Sequence, residues 1–360
     1  MRKIFYFHSD ITRIATSQHD FFERFDLYAK HVAQITPQTS PVLTMLIGGA
    51  GYSRVDKQIN IIALPKNPIL QLVKLIRTLK HSVGAKTLIV GDNDVSLMLG
   101  WLASRFASDT KIQMSLHASL DHILFPTGIF NILRKHLFFW SLKRVNSIRM
   151  VSSIDVERVA KLLPIPAPEI VVAPVPIKIP VGKTALSKKT KMAFIGRIHP
   201  ERGLGDLLDI LKLLNNDHER HTFIIVGDGE KLDWLKSQIP VSESLQVQFK
   251  GRLELNEIQE LWSEIKVLVS CAATESYGLT LREALLNESF VVARTNATTL
   301  NIESKLPNHF KTYNTPQDAV EKIKQLMLEK SESEELDEFR QTVRKEQEDS
   351  LLRLARSWVY

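Results

Sequence analysis

The segment Ser270–Leu286 reads SCAATESYGLTLREALL and concentrates more potential chemistry than any other part of the chain. Glu275 follows the apolar run Val267–Ser270 and so sits in a loop after a buried strand. Seven residues separate it from Glu283. Gly278 lets the chain turn, and Leu279–Leu286 is helix-like, which sets Glu283 one turn beyond Leu279. A helix start carries unsatisfied N–H groups and a partial positive charge, a ready anion site. The segment can therefore offer a carboxylate to a sugar, amides to a phosphate and a second carboxylate to a ribose. A second basic site lies upstream. Met192–Ile195 is an apolar run ending in Gly196-Arg197, and Ile198-His199-Pro200-Glu201-Arg202-Gly203 leads into the next helix. Arg197 and Arg202 stand in one strand-to-helix loop, and guanidinium forks match phosphate oxygens.

The elements that must position these residues alternate in type. Apolar strand candidates occur at 3–7, 42–47, 60–64, 86–90, 111–116, 147–151 and 169–173, with helix-like stretches at 19–34, 68–79, 94–106, 128–142 and 154–162. Six prolines then fall between Pro164 and Pro180, and the polar stretch Lys183–Lys191 follows. Proline at that density opposes helix and fixes an extended connection. The alternation resumes with strands at 191–195, 222–226, 247–250, 267–270, 290–293 and 310–312 and helices at 204–214, 230–237, 255–264, 279–286, 316–328 and a charged C-terminal region ending at 351–359. Fully apolar strands separated by amphipathic helices indicate parallel sheets covered on both faces. The expected organisation is a first α/β domain over residues 1–180, a second over 181–345, and a terminal helix, 346–360, that returns to the first. Two doubly wound sheets of this kind bind ligands beyond their strand carboxyl ends, so a cleft between them suits a two-substrate reaction.

Composition agrees with two cores: 360 residues, 44% hydrophobic and 24% charged, with one cysteine. Cys271 has no internal disulfide partner and reads as a small core residue, which fits a reducing compartment. No secretory leader and no apolar run long enough to span a bilayer is visible, so a cytoplasmic protein, free or attached to a membrane face, is expected. Residues 1–185 hold 23 Lys and Arg against 12 Asp and Glu, a net of +11, whereas the remainder nets −4. A basic first half points to an anionic partner there, such as nucleic acid, anionic lipid or a phosphate-bearing acceptor, or to an uneven solvated surface. Nucleic acid is disfavoured because no recognised module or aromatic stacking platform occurs.

With Glu275, Gly278 and Glu283 in place, the chain resembles family 4 retaining glycosyltransferases of the GT-B fold. The resemblance is carried by that paired-glutamate segment, by Gly196-Arg197 with Arg202-Gly203, by Gly227-Asp228-Gly229 after the strand 222–226, and by Phe249-Lys250-Gly251 and Leu261-Trp262. It covers residues 191–287. It implies two Rossmann-like domains facing a central cleft, the second holding a nucleotide-sugar donor and the first a glycan or lipid-linked acceptor of polysaccharide or glycolipid synthesis. Arg197 and Arg202 would neutralise the departing diphosphate in place of a metal ion. Gly196, Gly227, Tyr277, Gly278 and Leu279 would line the donor, Glu275 would hold sugar hydroxyls and Glu283 the ribose. His117, after the strand 111–116, would meet the sugar from the opposite wall. Transfer would proceed by front-face attack with retention, without a cofactor and without a metal.

Several features depart from that pattern or admit two readings. The loop 8–17 lacks the glycine pair the family has there, and Arg13 could substitute in donor or acceptor contact. Thr295-Asn296-Ala297-Thr298 stands where a Gly-Gly-like loop is usual. Gly48-Gly49-Ala50-Gly51 lacks the third glycine of a dinucleotide loop, since Arg54 stands there. Asp92 and Asp94 read as N-capping residues of the helix that follows and as charges complementing its dipole. Ser152 and Ser153 fit either a hinge-strand end or a helix cap. The stretch 128–151, with Phe130, Leu133, Leu137, Phe138 and Trp140 among Arg134, Lys135, Lys143, Arg144 and Arg149, reads equally as a membrane-surface helix or as a core helix with a basic edge. A non-catalytic binding subunit and a sugar-nucleotide epimerase are the rival functions.

Overall fold

The computed structural model describes residues 3–9, 18–36, 42–49, 54–55, 58–81, 86–107, 109–117, 119–124, 129–180, 189–216, 219–239, 243–329 and 333–360. The chain divides into two compact units, Met1–Pro176 with Glu346–Tyr360, and Ile177–Lys345. Arg13 and the rest of 10–17, Ala50 and Gly51, and most of the polar stretch after Pro180 lie outside the described residues.

In unit 1, β1 (Lys3–His8) is followed by α1 (Gln18–Ile35), β2 (Leu43–Gly48), β3 (Arg54–Val55), β4 (Ile59–Leu64), α2 (Pro68–Lys80), β5 (Thr87–Gly91), α3 (Asp94–Ser104) and β6 (Thr110–Leu116). Then come α4 (Leu120–Leu124), α5 (Ile129–Leu142), β7 (Ser147–Met150), α6 (Val156–Ala160) and β8 (Glu169–Val172). The sheet order is β3-β4-β2-β1-β5-β6-β7-β8, parallel throughout except for the short edge strand β3. The near-continuous apolar strands are buried because helices cover both faces. On one face α1 brings Phe21, Phe25 and Tyr28 against Tyr6 and Met45. On the other, Leu75 and Leu79 of α2 and Leu99 and Ala103 of α3 pack on Phe5, Phe7 and Leu46.

In unit 2, β9 (Lys191–Ile195) leads through a 3₁₀ turn, Pro200–Arg202, into α7 (Leu204–Asn215), β10 (His221–Val226), α8 (Leu232–Gln238), β11 (Leu245–Gly251) and α9 (Leu255–Leu261). β12 (Ile265–Ser270), α10 (Leu279–Leu286), β13 (Phe290–Arg294), α11 (Ala297–Glu303), β14 (Phe310–Tyr313), α12 (Pro316–Leu328) and α13 (Ser333–Val359) complete the chain. Six parallel strands run in the order β11-β10-β9-β12-β13-β14. These are two doubly wound parallel-sheet domains, the GT-B architecture.

Residues of α13 pack in both cores: Leu336, Phe339 and Val343 in unit 2, and Leu351, Leu354, Ala355 and Trp358 in unit 1. Trp358 is fully buried, stacks edge-on against Tyr28 and donates its indole N–H to Gln113 Oε1 at 2.7 Å. Gln113 itself points inward from a sheet strand, so the indole satisfies a polar group that burial would otherwise strand.

Three sequence expectations change here. Arg149 does not belong to a basic surface. It is 1% exposed on β7, donating to Tyr28 Oη at 2.8 Å and to the carbonyls of Ala173 and Pro174 at 3.0 and 3.2 Å. The strand alternation that turns it inward also gives it those acceptors. The stretch Thr295–Thr298 is not an open loop but the start of α11, capped by Asn296, whose side chain accepts from the amides of Thr298 and Thr299. Neither Asp92 nor Asp94 caps α3, although Asp94 stands in its first turn as the dipole reading expects. Asn93 caps it, accepting the Ser96 amide at 2.9 Å, while Asp94 pairs with Arg134.

Trp358→Ala should destabilise unit 1 by about 3–5 kcal/mol, the usual range for deleting a buried aromatic side chain. Urea unfolding followed by circular dichroism measures it, and a loss below about 1 kcal/mol would contradict the anchoring assigned to this residue.

Candidate active site

A doubly wound sheet leaves a crevice where its strand order reverses, because consecutive connections there depart to opposite faces. In unit 2 the reversal lies between β9 and β12. The carboxyl ends of those strands deliver Gly196 and Arg197 from one side and the loop holding Glu275 from the other. A small cavity opens there, lined by Gly196, Arg202, Ser270, Glu275, Thr280 and Leu281 among others. Residues distant in sequence are thus gathered by topology.

Arg202, the last residue of the 3₁₀ turn, reaches Glu275 at 3.3 Å. Their side chains are 38% and 18% exposed, so the pair is neither buried beyond exchange nor dissolved in water. Arg197 meets Glu201 at 3.3 Å on the surface, and half of its side chain faces solvent. Exposed pairs of that kind contribute about 0–1 kcal/mol, so Arg197 can leave Glu201 for a more highly charged anion at little cost.

Backbone conformation fits the same site. Gly278 precedes α10 at φ 71°, the left-handed region that a residue with Cβ resists, and α10 begins without a side-chain cap. The amides of its first turn therefore have no intrahelical partner and no capping oxygen. Gly227 ends β10 at φ 133°, and a Cβ there would stand 1.9 Å from the Gly196 carbonyl oxygen. The Gly-Asp-Gly motif is in this way explained by contact: the loops after β9 and β10 lie against each other, and only glycine allows it. Tyr277 lies under the Arg282 guanidinium at 4.4 Å, and its carbonyl accepts from Arg282 Nε at 3.0 Å. Glu283 is half-buried on the second turn of α10.

Sequence reasoning missed the residue that holds the Glu275 loop. Thr298, on α11, donates its hydroxyl toward the carbonyls of Glu275 and Ser276 at 2.7 and 2.9 Å, and Asn296 Nδ2 reaches the Ala272 carbonyl at 3.4 Å. The segment that replaces the usual glycine loop thus supports the site from behind. Cys271 is buried next to it, and burial pushes its thiol up to about 12, which suits a core residue and not a nucleophile.

Unit 1 has its own reversal, between β1 and β5. Their ends bring His8 and Asp92 together: His8 Nδ1 lies 2.7 and 2.8 Å from the two carboxylate oxygens, and Tyr6 Oη donates to the same group at 2.6 Å. Burial, and then the Asp92 charge, raises the Tyr6 hydroxyl well above its ordinary range. His8 and Asp92 are 84 residues apart, so no local pattern pairs them; the signal available was that each stands at the end of an apolar strand. The glycine-free loop begins at this point. Ser9, after His8, receives the Gln71 amide on its carbonyl at 2.8 Å, and Gly48 on β2 makes room, since a Cβ there would stand 1.8 Å from the Ser9 oxygen.

His117 follows β6 and lines a cavity of about 190 Å³ in unit 1 together with Asp92, Asn93, Ser115, Arg134 and Phe138. Desolvation, followed by the Arg149 cation, holds its imidazole below the ordinary 6.5, to about 4. Water at its exposed ring limits that shift, but both causes favour the neutral form at pH 7. Ser115, 4% exposed at the cavity wall, has no partner for its hydroxyl among the described residues. Among the described residues no group of three or more His, Cys, Asp and Glu side chains is disposed to hold a metal ion, and no helix is long and apolar enough to cross a membrane.

A lowered imidazole pKa has a defined consequence. Above 6.5 the native and unfolded states are both neutral at this residue; as pH falls toward 4 the unfolded chain binds a proton that the native site resists, and stability is lost. In a histidine-labelled NMR titration, His117 should remain neutral at pH 6. A midpoint at or above 6.5 would contradict the environment described.

Comparison with known proteins bears on unit 2 first. The family of "Glycosyl transferases group 1" matches residues 178–346. Glycogen synthase of Mycobacterium tuberculosis is 30% identical over 95 residues, which is 26% of this chain and 23% of that one, so the chain spans about a quarter of the curated relatives it matches. Among solved structures, a sucrose-phosphate synthase from Thermosynechococcus elongatus superposes with a TM-score of 0.74 at 14% identity, over 99% of this chain and 98% of that one. A Staphylococcus aureus TarM mutant, solved in complex with Fondaparinux, alpha-GlcNAc-glycerol and UDP, gives 0.63 at 16% identity, over 81% of this chain and 59% of that one. At these identities the structural likeness is one of fold. Residues 178–346 thus resemble the group 1 glycosyl transferases, within a chain whose two units have the GT-B fold.

Proposed function

We propose that the chain is a retaining, metal-independent glycosyltransferase that moves a sugar from a nucleotide-diphosphate donor to a glycan or lipid-linked acceptor. The observation that carries this reading is the approach of Arg202 to Glu275 at the unit 2 crevice, with Arg197 and the uncapped start of α10 beside them. A diphosphate leaving group develops negative charge as the glycosidic bond breaks. Two guanidinium groups and a helix start answer that charge without a cation, and stabilisation of this kind is usually the largest catalytic contribution.

In this scheme the diphosphate takes Arg202 and Arg197 from their carboxylate partners. Glu275 is thereby released to accept hydrogen bonds from sugar hydroxyls, while Thr298 keeps its backbone in place. Glu283 accepts from the ribose hydroxyls. Gly196 and Gly227 let phosphate oxygens approach the backbone, and Tyr277, Gly278 and Leu279 form the floor beneath them. His117, as a neutral imidazole, hydrogen-bonds a sugar hydroxyl. The acceptor hydroxyl attacks the anomeric carbon on the face the phosphate leaves, the bond to the diphosphate breaks and the departing phosphate oxygen takes the hydroxyl proton, so configuration is kept. Unit 1 contributes the acceptor site, for which its cavity and basic surface are suited. A cytoplasmic setting is proposed with it, on the strength of the single cysteine. The presence of UDP in the TarM complex makes uridine donors the first to try.

Arg197→Ala should lower transfer from the preferred member of a UDP-, GDP- and dTDP-sugar panel by about 10²–10³, the range for removing one preorganised charge-stabilising donor. Chelator should leave the unaltered protein's rate unchanged. Proton NMR of the product gives the anomeric configuration. Near-normal turnover by the variant would reject the leaving-group role, dependence on a divalent ion would reject the metal-free scheme, and an inverted product would reject front-face attack.

A further inference from the structure

β8 ends the sheet of unit 1, with β7 on one side and no strand on the other. Its pairing with β7 uses the amides of Glu169 and Ala173, which donate to the carbonyls of Asn146 and Met150 at 3.2 and 2.8 Å. Successive residues of a strand direct their peptide groups to opposite sides, so the N–H and C=O groups of Ile170 and Val172 point to the open edge. Neither amide has a hydrogen-bond partner among the described residues. Such an edge is a template for another chain unless something covers it. β8 is four residues long and is bounded by Pro168 and Pro174, so the edge accepts a short segment and not an extended ladder.

Beside this edge runs a cavity of about 360 Å³, lined on one side by Glu169–Val172 and on the other by Arg353, Arg356, Ser357 and Tyr360 of α13. Both walls belong to unit 1. α13 covers the sheet face to which Val171 points, since Val171 packs with Leu351, Leu354 and Trp358. Ile170 points to the opposite face, where it packs with Leu162 and Leu163 against a separate cluster. Arg353 and Arg356 are exposed, stand one helical turn apart, and have no ion-pair partner among the described residues. The one carboxylate side chain of the lining, Glu169, stands at the start of the strand.

We infer that this edge receives an extended acidic segment of a partner protein, which joins the sheet as a further strand beside β8. Main-chain hydrogen bonds to Ile170 and Val172 supply the pairing, and side chains at alternate positions supply the choice of partner. Residues on the Val171 face of the added strand meet α13, so they are acidic; those between them meet the apolar side and are aliphatic. The spacing agrees. Alternate residues of a strand lie about 6.4–6.8 Å apart, and side chains one turn apart on a helix about 5–6 Å, so two carboxylates reach Arg353 and Arg356 together. A lipid surface or a nucleic acid would meet the arginines but leave the edge amides unpaired. A second copy, joined through antiparallel β8 strands, would bring its own Arg353 and Arg356 to the same face and set like charges opposite each other. The surface stands apart from the transfer reading. It shares no residue with the cavity at His117, and β6 and β7 separate it from the reversal at β1 and β5.

The test is fluorescence anisotropy of a short labelled peptide whose centre reads Glu-Val-Glu-Val, titrated with the full chain. Binding should saturate, weaken with salt, and fall by about ten-fold or more in Arg353→Ser/Arg356→Ser, as expected for loss of charge-assisted bonds. Both arginines are exposed, so circular dichroism and UDP binding should be unchanged, which separates loss of docking from misfolding and from failure of the transferase reading. A peptide reading Glu-Pro-Glu-Pro should not bind, because proline lacks the amide that pairs with the edge. Amide hydrogen exchange at Ile170 and Val172 should slow when the valine peptide is bound. Absence of binding by the valine peptide would overturn the proposal. Equal binding of the two peptides would replace strand addition with charge attraction alone. Displacement of the peptide by phosphatidylglycerol vesicles would assign the arginines to a lipid surface, and self-association that the peptide reverses would assign the edge to a second copy; either result would overturn the partner named here.

Discussion

Where a parallel sheet reverses its winding, two neighbouring strands send their chains to opposite faces, and no connection covers the gap between their carboxyl ends. This constraint governs both units. In unit 2 the gap lies between β9 and β12 and collects Arg197, Arg202, Glu275 and the start of α10. In unit 1 it lies between β1 and β5 and collects Tyr6, His8 and Asp92. Neither group could assemble from local sequence. Each depends on buried apolar strands whose order the connecting helices fix.

Charge is distributed so that the unit 2 crevice is balanced and yet labile. Arg202 and Glu275 offset each other, as do Arg197 and Glu201, at exposures where water and a stronger anion can compete. By contrast, charges that serve the fold are buried against several partners. Arg149 donates to a hydroxyl and two carbonyls, and Arg340 meets Glu288, Asp337 and the Leu286 carbonyl. The difference in exposure separates groups arranged for exchange from groups that hold the chain together.

Much of this was legible in the sequence. Short apolar runs located the long strands, because parallel strands covered on both faces are apolar throughout, and period-3.6 patterning located the long helices apart from the first half of α13, whose charged residues were read only as a polar region. Gly278 and Gly227 were legible as glycines that had to be glycines, although the reason for Gly227, the Gly196 carbonyl beside it, needed the fold. What was not legible depended on pairing at a distance. His8 with Asp92, Thr298 with the Glu275 loop, and Gly48 with Ser9 each join separate elements. The 295–298 segment was misread for a related reason. Its family position suggested a glycine loop, and the Asn296 cap was overlooked, though an asparagine followed three residues later by threonine is itself a helix-start signal.

The central claim is that the unit 2 crevice is a nucleotide-diphosphate site that uses arginine in place of a metal ion. Isothermal titration of UDP and GDP into the full chain, with chelator throughout, tests it most directly when Arg202→Ala is run beside the unaltered protein. The account predicts measurable binding of at least one nucleotide in chelator, weakened by about ten-fold or more in the variant, as expected for loss of a charge-assisted bond to phosphate. Equal affinity in the two proteins, or binding that appears only when a divalent cation is restored, would contradict it.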